Sequence, residues 1–329
     1  MCGIVGYLGP REPKEIILKG LRALEYRGYD SAGVAILDGK QFRRIRATGK
    51  LIELDQKLRG EKFDGHLGIG HTRWATHGVP SERNAHPHSK GGVSLVHNGI
   101  IENYADLKAE LAKEGAVFES DTDTELIAHL IEKELSSSQD LLKAVQKVVP
   151  QLIGAYAVVV VWENQPDTMV AFKFGPPLIL GVIKNELILA SDVQAVVDQT
   201  REIIYLDDGD VVCAKGNDFQ IYSSSGAKIK KEQVHVEWNA ETASKGGYPH
   251  FMLKEIHEQP RAVARKIHLP ALENRIALAK PGRLFGNQFR GARRLPVPQI
   301  NLVHRRLRRR VVLVAQKRHL LLREIPSQL

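Results

Sequence analysis

The sequence predicts an α+β domain in which sheet packs against sheet and helices cover the outside. Three observations support this fold class. First, short runs of branched apolar residues outnumber the helical segments. Second, these runs concentrate after Gly154. Third, two helical blocks are interposed between them. Hydrophobic residues make up 43% of the 329 residues and charged residues 26%, a balance typical of globular proteins. Collagen-like, mucin-like and wholly disordered chains are therefore excluded.

The first half of the chain mixes predicted helices and strands. Apolar residues at helical spacing predict helices over residues 14–24, 104–114, 123–134 and 140–152. Branched apolar runs predict strands over residues 34–37, 67–70 and 93–96. Asp121 or Thr122 is suited to the N-cap of the third helix, whose first turn would hold Asp123 and Glu125.

The second half is predicted to supply most of the sheet. Its strands are expected over residues 155–162, 168–172, 178–183, 186–190 and 210–213, separated by turn residues. A helix is predicted over residues 251–267. From Pro281 onward prolines interrupt the chain and residues 305–310 hold five arginines, so we predict a disordered tail rather than a fold.

The positive charge of the chain is concentrated at its end. The net charge of +9 and pI of about 9.4, at face value, indicate an anionic partner such as nucleic acid or a membrane surface. Residues 281–329, however, hold twelve Lys and Arg against one acid, a net charge of +11. Residues 1–280 then carry a net charge of −2. The charge is therefore no reason to expect an anionic partner for the folded part.

Cysteine content and hydropathy bear on the compartment. The two cysteines, Cys2 and Cys213, are too few for a disulfide framework, which favours a reducing environment. No apolar run is long enough to span a membrane, and the first residues lack the pattern of a signal peptide. We therefore expect a cytoplasmic protein that has no membrane partner.

Cys2 is the first candidate nucleophile, because it directly follows Met1. Methionine aminopeptidases remove Met1 when the next side chain is small, which would leave Cys2 with a free α-amine. Such an amine titrates at about pH 7.7 to 8.0, so a neutral fraction can act as a general base. One residue would then supply both nucleophile and base, although its position alone is also compatible with chance.

Two polar motifs come where predicted strands end, a place where rigid scaffolds display catalytic groups. The motif HTRWATHG at residues 71–78 contains Arg73, whose guanidinium suits a planar carboxylate, although a lone arginine is more often a surface charge. In the motif HNG at residues 97–99, Asn98 and Gly99 suit an oxyanion hole. The side-chain amide and the unobstructed glycine N–H can each donate one hydrogen bond.

Neither a metal nor a nucleotide site is predicted. Five histidines lie between His71 and His97, but their spacing matches no zinc motif, so structural histidines are the better interpretation. No glycine-rich phosphate loop is present in the sequence. Cys213 lies in an apolar strand and is expected to be an inert core thiol.

Several long motifs occur together in one order. They are MCGIVG at 1–6, YRGYDSAG at 26–33, HTRWATHG at 71–78, NAHPH at 84–88, HNGIIEN at 97–103 and DTDTE at 121–125. Over about residues 1–265 this set resembles the class II glutamine amidotransferases of the N-terminal-nucleophile superfamily. Within them it is most similar to the glutamine:fructose-6-phosphate aminotransferases. The resemblance implies the αββα four-layer sandwich of the N-terminal-nucleophile hydrolases.

The resemblance also implies a role for each site residue. Cys2 would be the nucleophile with its own α-amine as base, and Asn98 and Gly99 would form the oxyanion hole. Arg73 would bind the α-carboxylate of L-glutamine and Asp123 its ammonium group. The implied reaction is attack of the Cys2 thiolate on the side-chain amide, formation of a γ-glutamyl thioester, release of ammonia, and hydrolysis to glutamate.

Six further residues receive lesser roles from the resemblance. Trp74, Thr76 and His77 would line the pocket, and Trp74 would also gate the passage of ammonia. Arg27, Gly28 and His86 would support the site. The implied chemistry needs neither a metal nor an organic cofactor.

The resemblance implies three regions in the chain. They are a glutaminase domain at residues 2–240, a linker at 241–280 that leads toward a missing isomerase half, and the arginine-rich segment 281–329. Fructose 6-phosphate would bind only if an isomerase domain were supplied, and the homodimer of the family is doubtful without it. For residues 281–329 we favour out-of-frame translation. A stand-alone glutaminase that feeds a separate synthase, and a nucleic-acid-binding arm, are the less favoured alternatives.

Overall fold

The computed structural model describes residues 2–237, Tyr248 and residues 251–266. The chain divides into two units between Phe251 and Met252. Only one helix of the second unit is described, so the fold below is that of the first. The predictions for residues 267–329 lie outside the described part of the chain.

The described residues form fifteen strands and six helices. The strands are β1 (Gly3–Leu8), β2 (Ser31–Asp38), β3 (Gln41–Thr48), β4 (Leu67–Arg73), β5 (His88–Lys90), β6 (Val93–Ile101), β7 (Gly154–Trp162), β8 (Thr168–Phe174), β9 (Ile179–Ile183), β10 (Glu186–Ala190), β11 (Glu202–Tyr205), β12 (Val211–Lys215), β13 (Asp218–Tyr222), β14 (Lys228–Ile229) and β15 (Val234–His235). The helices are α1 (Pro13–Leu24), α2 (Leu51–Leu58), α3 (Tyr104–Lys113), α4 (Glu125–Ser138), α5 (Leu141–Val148) and α6 (Phe251–Lys266).

The strands form two antiparallel sheets. The first has eight strands in the order β15-β11-β9-β10-β1-β4-β2-β3, and the second has seven in the order β14-β13-β12-β8-β7-β6-β5. Strand β1 lies inside the first sheet, where Val5 is opposite Ala190 of β10 on one side and Gly70 of β4 on the other. The residue that precedes β1, Cys2, is therefore attached to a strand that is paired along both edges.

The two sheets pack face to face over a shared hydrophobic cluster. On β7, Ala157, Val159 and Val161 belong to this cluster, whereas Val158 and Val160 belong to the cluster under the helices on the opposite face. Both faces of β7 are thus buried. This explains why the strand is an uninterrupted apolar run rather than an alternation of apolar and polar residues.

Helices cover both outer faces of the sheets. Helices α1 and α2 share a hydrophobic cluster with the first sheet, and α3, α4 and α5 share another with the second. The resulting order is helix, sheet, sheet, helix. The α+β class and the four-layer αββα arrangement predicted from the sequence are both confirmed. No described helix is long and apolar enough to cross a membrane.

Two predicted strands are longer than expected. Strand β4 continues through Arg73 and β6 continues through Ile101, so both polar motifs begin inside strands rather than after them. The sequence prediction stopped where the apolar residues stopped. The backbone pairing continues because the neighbouring strands extend equally far, with Thr72 opposite Gly3 and Ile101 opposite Gly154.

The start of helix α4 differs from the prediction. The helix begins at Glu125 with Thr124 at the N-cap, and no side chain makes a capping hydrogen bond. Asp121 and Thr122 therefore do not cap it, and Asp123 lies before its first turn. The carboxylate of Asp123 instead accepts a hydrogen bond from the N–H of Ile101, at 2.8 Å, which satisfies a strand donor rather than a helix donor.

Glycines on β4 allow helix α1 to lie very close to the first sheet. A Cβ atom at Gly70 would lie 2.3 Å from Cγ2 of Ile17, and one at Gly68 would lie 2.9 Å from Cδ1 of the same residue. Ile17 is fully buried. The side chain of Ile17 therefore occupies the space that side chains on β4 would need.

This contact predicts non-additive stability changes. Gly70→Ala should lower the free energy of unfolding by about 1 to 3 kcal/mol through overpacking, and Ile17→Ala by about 2 to 5 kcal/mol through a cavity. In the double variant the new methyl group fills that cavity, so the loss should be smaller than the sum. Urea unfolding of the four proteins measures the coupling. Gly70→Ala combined with Val145→Ala, in a different cluster, should be additive, and additivity in the first pair would contradict the contact.

Candidate active site

A cavity of about 430 Å³ brings the predicted site residues together. Ten of the eleven line it, namely Cys2, Arg27, Arg73, Trp74, Thr76, His77, His86, Asn98, Gly99 and Asp123. The eleventh, Gly28, lies behind the wall. Residues from widely separated parts of the chain therefore converge on one pocket.

Strand alternation explains why these side chains meet. Ile69 of β4 and Val96 of β6 face the space between the two sheets. Because successive side chains of a strand point to opposite faces, His71 and Arg73 follow Ile69 into this space, and Asn98 follows Val96. The polar ends of two strands in different sheets thus form one polar extension of the hydrophobic core.

The thiol of Cys2 lies against the end of β4. Its Sγ is 3.2 Å from the backbone nitrogen of Trp74, whose N–H donates to it. Burial raises the pKa of Cys2, and this effect outweighs the Trp74 N–H and the Arg73 charge, which lower it. At neutral pH the group is therefore a protonated thiol, and a base is needed before it can attack a carbon.

Arg73 is a buried charge and not a surface arginine, since only 3% of it is exposed. Its Nη2 donates to the carbonyl oxygens of His77 and Gly78, at 3.0 Å for Gly78. Its Nη1 is buried and has no hydrogen-bond partner among the residues that the structure describes. Burial lowers the pKa of Arg73, while Asp30 and Asp123 raise it. A buried guanidinium nitrogen without a partner is suited to receive a carboxylate ligand.

Asp123 supplies an opposite charge in the same cavity. It is 4% exposed, and the hydrogen bond from the Ile101 N–H fixes one carboxylate oxygen at the end of β6. The effect of Asp123 on the pKa of Arg73 indicates that the two charges interact. The cavity therefore holds one fixed positive and one fixed negative group beside the thiol, as a zwitterionic amino acid would require.

Asn98 and Gly99 lie next to Cys2 on β6. The Nδ2 of Asn98 donates to the backbone carbonyl oxygen of Cys2 at 3.1 Å. Gly99 has φ of +132°, and a Cβ atom there would lie 1.9 Å from the carbonyl oxygen of Ala155. Only glycine fits this position. The second sheet thus holds both residues predicted for the oxyanion hole in the cavity that Cys2 lines, with Asn98 in contact with Cys2.

Three other predicted residues form part of the pocket wall. Trp74 is 47% exposed, and the edge of its ring system meets Tyr29 at a centroid distance of 5.3 Å. His77 makes a similar edge contact with Tyr104 at 5.4 Å. Thr76, which lies between Trp74 and His77 in the sequence, also lines the cavity. The indole of Trp74 is therefore one of the parts of the wall that solvent reaches, together with Thr76 and Ile100.

The three predicted supporting residues act in different ways. Arg27 lines the cavity and forms an ion pair with Asp192. A Cβ atom at Gly28 would lie 2.7 Å from the carbonyl carbon of Arg73. The absence of a side chain at Gly28 therefore allows the backbone of Arg73 to lie in close contact with it. His86 is 5% exposed and its ring stacks on that of His71 at 4.1 Å.

Several residues in or beside the cavity wall were not predicted as site residues. Asp30 accepts a hydrogen bond from the N–H of Ala75, and its own N–H donates to the carbonyl oxygen of Arg73 at 3.1 Å, so it holds the segment around Trp74. Asp30 lies in the motif YRGYDSAG, and no other feature of the sequence points to it. Pro176 and Pro177 form part of the wall and carry no sequence signal, because chain folding alone brings them there.

Four histidines at the site are buried in neutral form. They are His71, His86, His88 and His97, each at most 5% exposed. Burial lowers the pKa of His71 and of His88 to about 3, and it lowers the pKa of the other two as well. In the described part of the chain no three His, Cys, Asp or Glu side chains are arranged to hold a metal ion.

The buried histidines predict acid sensitivity. Their pKa values are lower in the folded state than in the unfolded state, so protonation favours the unfolded chain. The free energy of unfolding is therefore not reduced by these groups above about pH 6.5, and it falls as the pH falls from there toward 3. His88→Gln removes one such group, and its amide can still bond Thr122, the partner of His88 at 3.1 Å. From pH 6 to pH 5 the free energy of unfolding should fall by about 1.2 kcal/mol less in the variant. Urea unfolding of both proteins at the two pH values tests this, and an equal fall in the free energy of unfolding in wild type and variant would contradict it.

Comparison with known proteins agrees with this geometry. The family described as "Glutamine amidotransferase domain" matches residues 71–198. Three curated relatives bear the name glutamine–fructose-6-phosphate aminotransferase [isomerizing]. They come from Clostridium tetani (47% identity over 286 residues), Thermococcus kodakarensis (47% over 271) and Vibrio vulnificus (49% over 264). The matches cover 86%, 82% and 80% of this chain but only 46%, 45% and 43% of the relatives. The chain thus spans less than half of their length.

A solved structure is similar as well. The glutamine phosphoribosylpyrophosphate amidotransferase of B. subtilis matches with a TM-score of 0.60 and 28% sequence identity. The match covers 68% of this chain and 49% of the other. With the order of the motifs, the αββα layers and the convergence of the site residues, these likenesses show that the chain carries an enzymatic glutamine amidotransferase domain and belongs to the amidotransferases of the N-terminal-nucleophile type.

Proposed function

We propose that this domain hydrolyses L-glutamine to L-glutamate and ammonia through a thioester on Cys2. The observation that carries the proposal is that Nη1 of buried Arg73 has no hydrogen-bond partner within the described part of the chain, while Arg73 lines the same cavity as Asp123 and the thiol. A carboxylate on Arg73 and an ammonium on Asp123 would orient the α-carbon of an amino acid. Its side chain would then extend toward Cys2.

The fixed charges account for selectivity. A simple amide offers neither a carboxylate nor an ammonium group, so it would leave Arg73 and Asp123 unpaired in a buried site. Leaving a buried charged group without a partner costs more than an average hydrogen bond supplies. Glutamine satisfies both charges at once, and it places its amide one side-chain length away.

The chemistry needs only groups of this chain and water. After removal of Met1, the α-amine of Cys2 takes the thiol proton and Sγ forms a bond to the amide carbon. The oxyanion accepts hydrogen bonds from Nδ2 of Asn98 and the N–H of Gly99. The protonated α-amine then gives its proton to the leaving nitrogen as the C–N bond breaks, which releases ammonia. Water attacks the thioester, yields glutamate, and restores the thiol and the neutral amine.

The use of the ammonia is a second part of the proposal. Since the curated relatives are named for fructose 6-phosphate, we infer that this ammonia aminates that sugar phosphate where an isomerase half is supplied, with Trp74 gating its passage. The glutaminase would occupy residues 2–240, with residues 241–280 as the linker. A cytoplasmic location stays a prediction of the same kind, and the homodimer of the family stays doubtful for a chain without the isomerase half.

Replacement of the nucleophile should abolish turnover. Cys2→Ala should lower kcat for glutamate release by at least about 1000-fold, since no other group can form the thioester. Intact-mass measurement of the wild-type chain should show loss of Met1. Cys213→Ala is the matched control, because this second thiol lies in β12 and burial raises its pKa to about 11. Turnover that survives in Cys2→Ala, or is lost in Cys213→Ala, would contradict the proposal.

Removal of the negative charge should weaken substrate binding without slowing the chemistry. Asp123→Asn keeps an oxygen for the Ile101 N–H but loses the charge that faces the ammonium group. The KM for glutamine should rise about 10- to 100-fold with kcat within about threefold. Asp121→Asn, two residues earlier and on the surface beside Arg83, should leave KM unchanged.

A substrate analogue sharpens this experiment. Glutaramate is glutamine without its α-amine, so it cannot use Asp123. Wild-type protein and Asp123→Asn should hydrolyse glutaramate with similar kcat/KM, whereas they should differ for glutamine. If Asp123→Asn impairs both substrates equally, Asp123 acts on something other than the ammonium group.

A further inference from the structure

His71 is a buried histidine for which the mechanism above has no use. It stands on β4 between the sheets and is 0% exposed. We propose that His71 is the positioning residue of the oxyanion hole, and that its Nε2–H fixes the amide of Asn98 with Nδ2 directed to the nucleophile. This inference rests on the proposed function and names the group that fixes the orientation of the Asn98 donor.

The hydrogen bonds of His71 identify its tautomer. Nε2 lies 3.1 Å from the carbonyl oxygen of His97 and 3.0 Å from Oδ1 of Asn98. A backbone carbonyl oxygen can only accept, so Nε2 must carry the ring proton. The other ring nitrogen, Nδ1, is buried and has no partner among the described residues, which suits a neutral ring protonated on Nε2 alone.

The same proton determines which way the amide of Asn98 faces. The two ends of an asparagine amide have nearly the same shape, so only their hydrogen-bond partners distinguish them. The Nε2–H of His71 requires an oxygen at one end. The carbonyl oxygen of Cys2, 3.1 Å from the other end, requires the NH₂ group there. Both requirements select one orientation, in which the donor lies beside Cys2.

The ring of His71 is itself held in place. His86 stacks on it at 4.1 Å with an interplanar angle of 29°, and Nε2 of His86 lies 2.9 Å from the hydroxyl oxygen of Thr124. Burial keeps the pKa of His71 near 3, so the ring stays a neutral single donor over the working pH range. A donor with one orientation and one protonation state is the kind of support that a preorganised oxyanion hole needs.

The test uses two variants in the full chain. His71→Met fills the space without a donor, and His71→Gln places an amide NH₂ at the same reach as Nε2. His71→Met should lower kcat for glutamine about 10- to 100-fold, part of the loss expected for deleting an oxyanion donor, with KM within about threefold. His71→Gln should recover kcat to within about fivefold of wild type. His129→Gln, at a buried histidine of α4 that contacts Phe118 and Glu125 and lies outside this cluster, should stay within about twofold.

Two ligands separate positioning from general damage. The γ-aldehyde analogue of glutamate adds to the Cys2 thiol and forms an oxyanion, whereas L-norvaline offers the same α-amino and α-carboxylate groups on an apolar side chain. Affinity for the aldehyde should fall about 10- to 100-fold in His71→Met, in parallel with kcat. Affinity for L-norvaline should stay within about threefold. Equal loss of both affinities would overturn the proposal, because it would show collapse of the whole pocket.

Other outcomes are decisive too. A folded His71→Met with wild-type kcat and aldehyde affinity would overturn the inference, and so would a folded His71→Gln as slow as His71→Met.

If His71→Met does not fold, ¹⁵N NMR of wild-type protein decides, with the His71 signals assigned by their loss in His71→Gln. An Nε2–H tautomer supports the proposal and an Nδ1–H tautomer overturns it. If Cys2→Ala still hydrolyses glutamine, the proposed function fails instead, which is a separate result.

Discussion

The pairing of β1 inside the first sheet is the constraint on which the site depends. An N-terminal segment normally frays, because few contacts hold it. Here β1 is hydrogen-bonded to β4 and β10, and its side chains enter hydrophobic clusters on both faces. Cys2 is one residue before this strand, so a group at the start of the chain is placed as firmly as a core residue. The register of β4 then brings Arg73 beside it, and the packed second sheet brings Asn98.

Burying charge at the end of a hydrophobic core is costly, and the fold offsets this cost locally. Arg73 donates to two carbonyl oxygens and Asp123 accepts from a strand N–H, so each charge is partly satisfied before any ligand arrives. The surrounding histidines are neutral, which avoids adding positive charge next to Arg73. The cavity is therefore polarised by two opposite charges that the backbone holds apart, and Arg27, the other charged residue of its wall, is paired with Asp192.

The sequence predicted the layers and the site residues for different reasons. The layers followed from apolar patterns, such as the helical spacing of α1 and the doubly buried run of β7. The site residues followed from motif resemblance and not from patterning. Strand ends were missed at Arg73 and Ile101, because polar residues facing a cavity look like a loop. Strand β3 was missed because its centre, RRIR, is polar and only partly buried, and its two buried residues, Phe42 and Ala47, lie on opposite faces. Pro176 could not be found because only tertiary folding brings it to the pocket.

The hydrogen bond from Asn98 to the carbonyl oxygen of Cys2 has a mechanical consequence. It joins the second sheet to the very residue that bears the thiol, across the gap between the sheets. This hydrogen bond therefore couples the position of the Cys2 sulfur to that of the Asn98 amide when either sheet is displaced. The separation between these two groups is the distance that matters for bond formation, and it is set by one short contact rather than by the accumulated positions of fifteen strands.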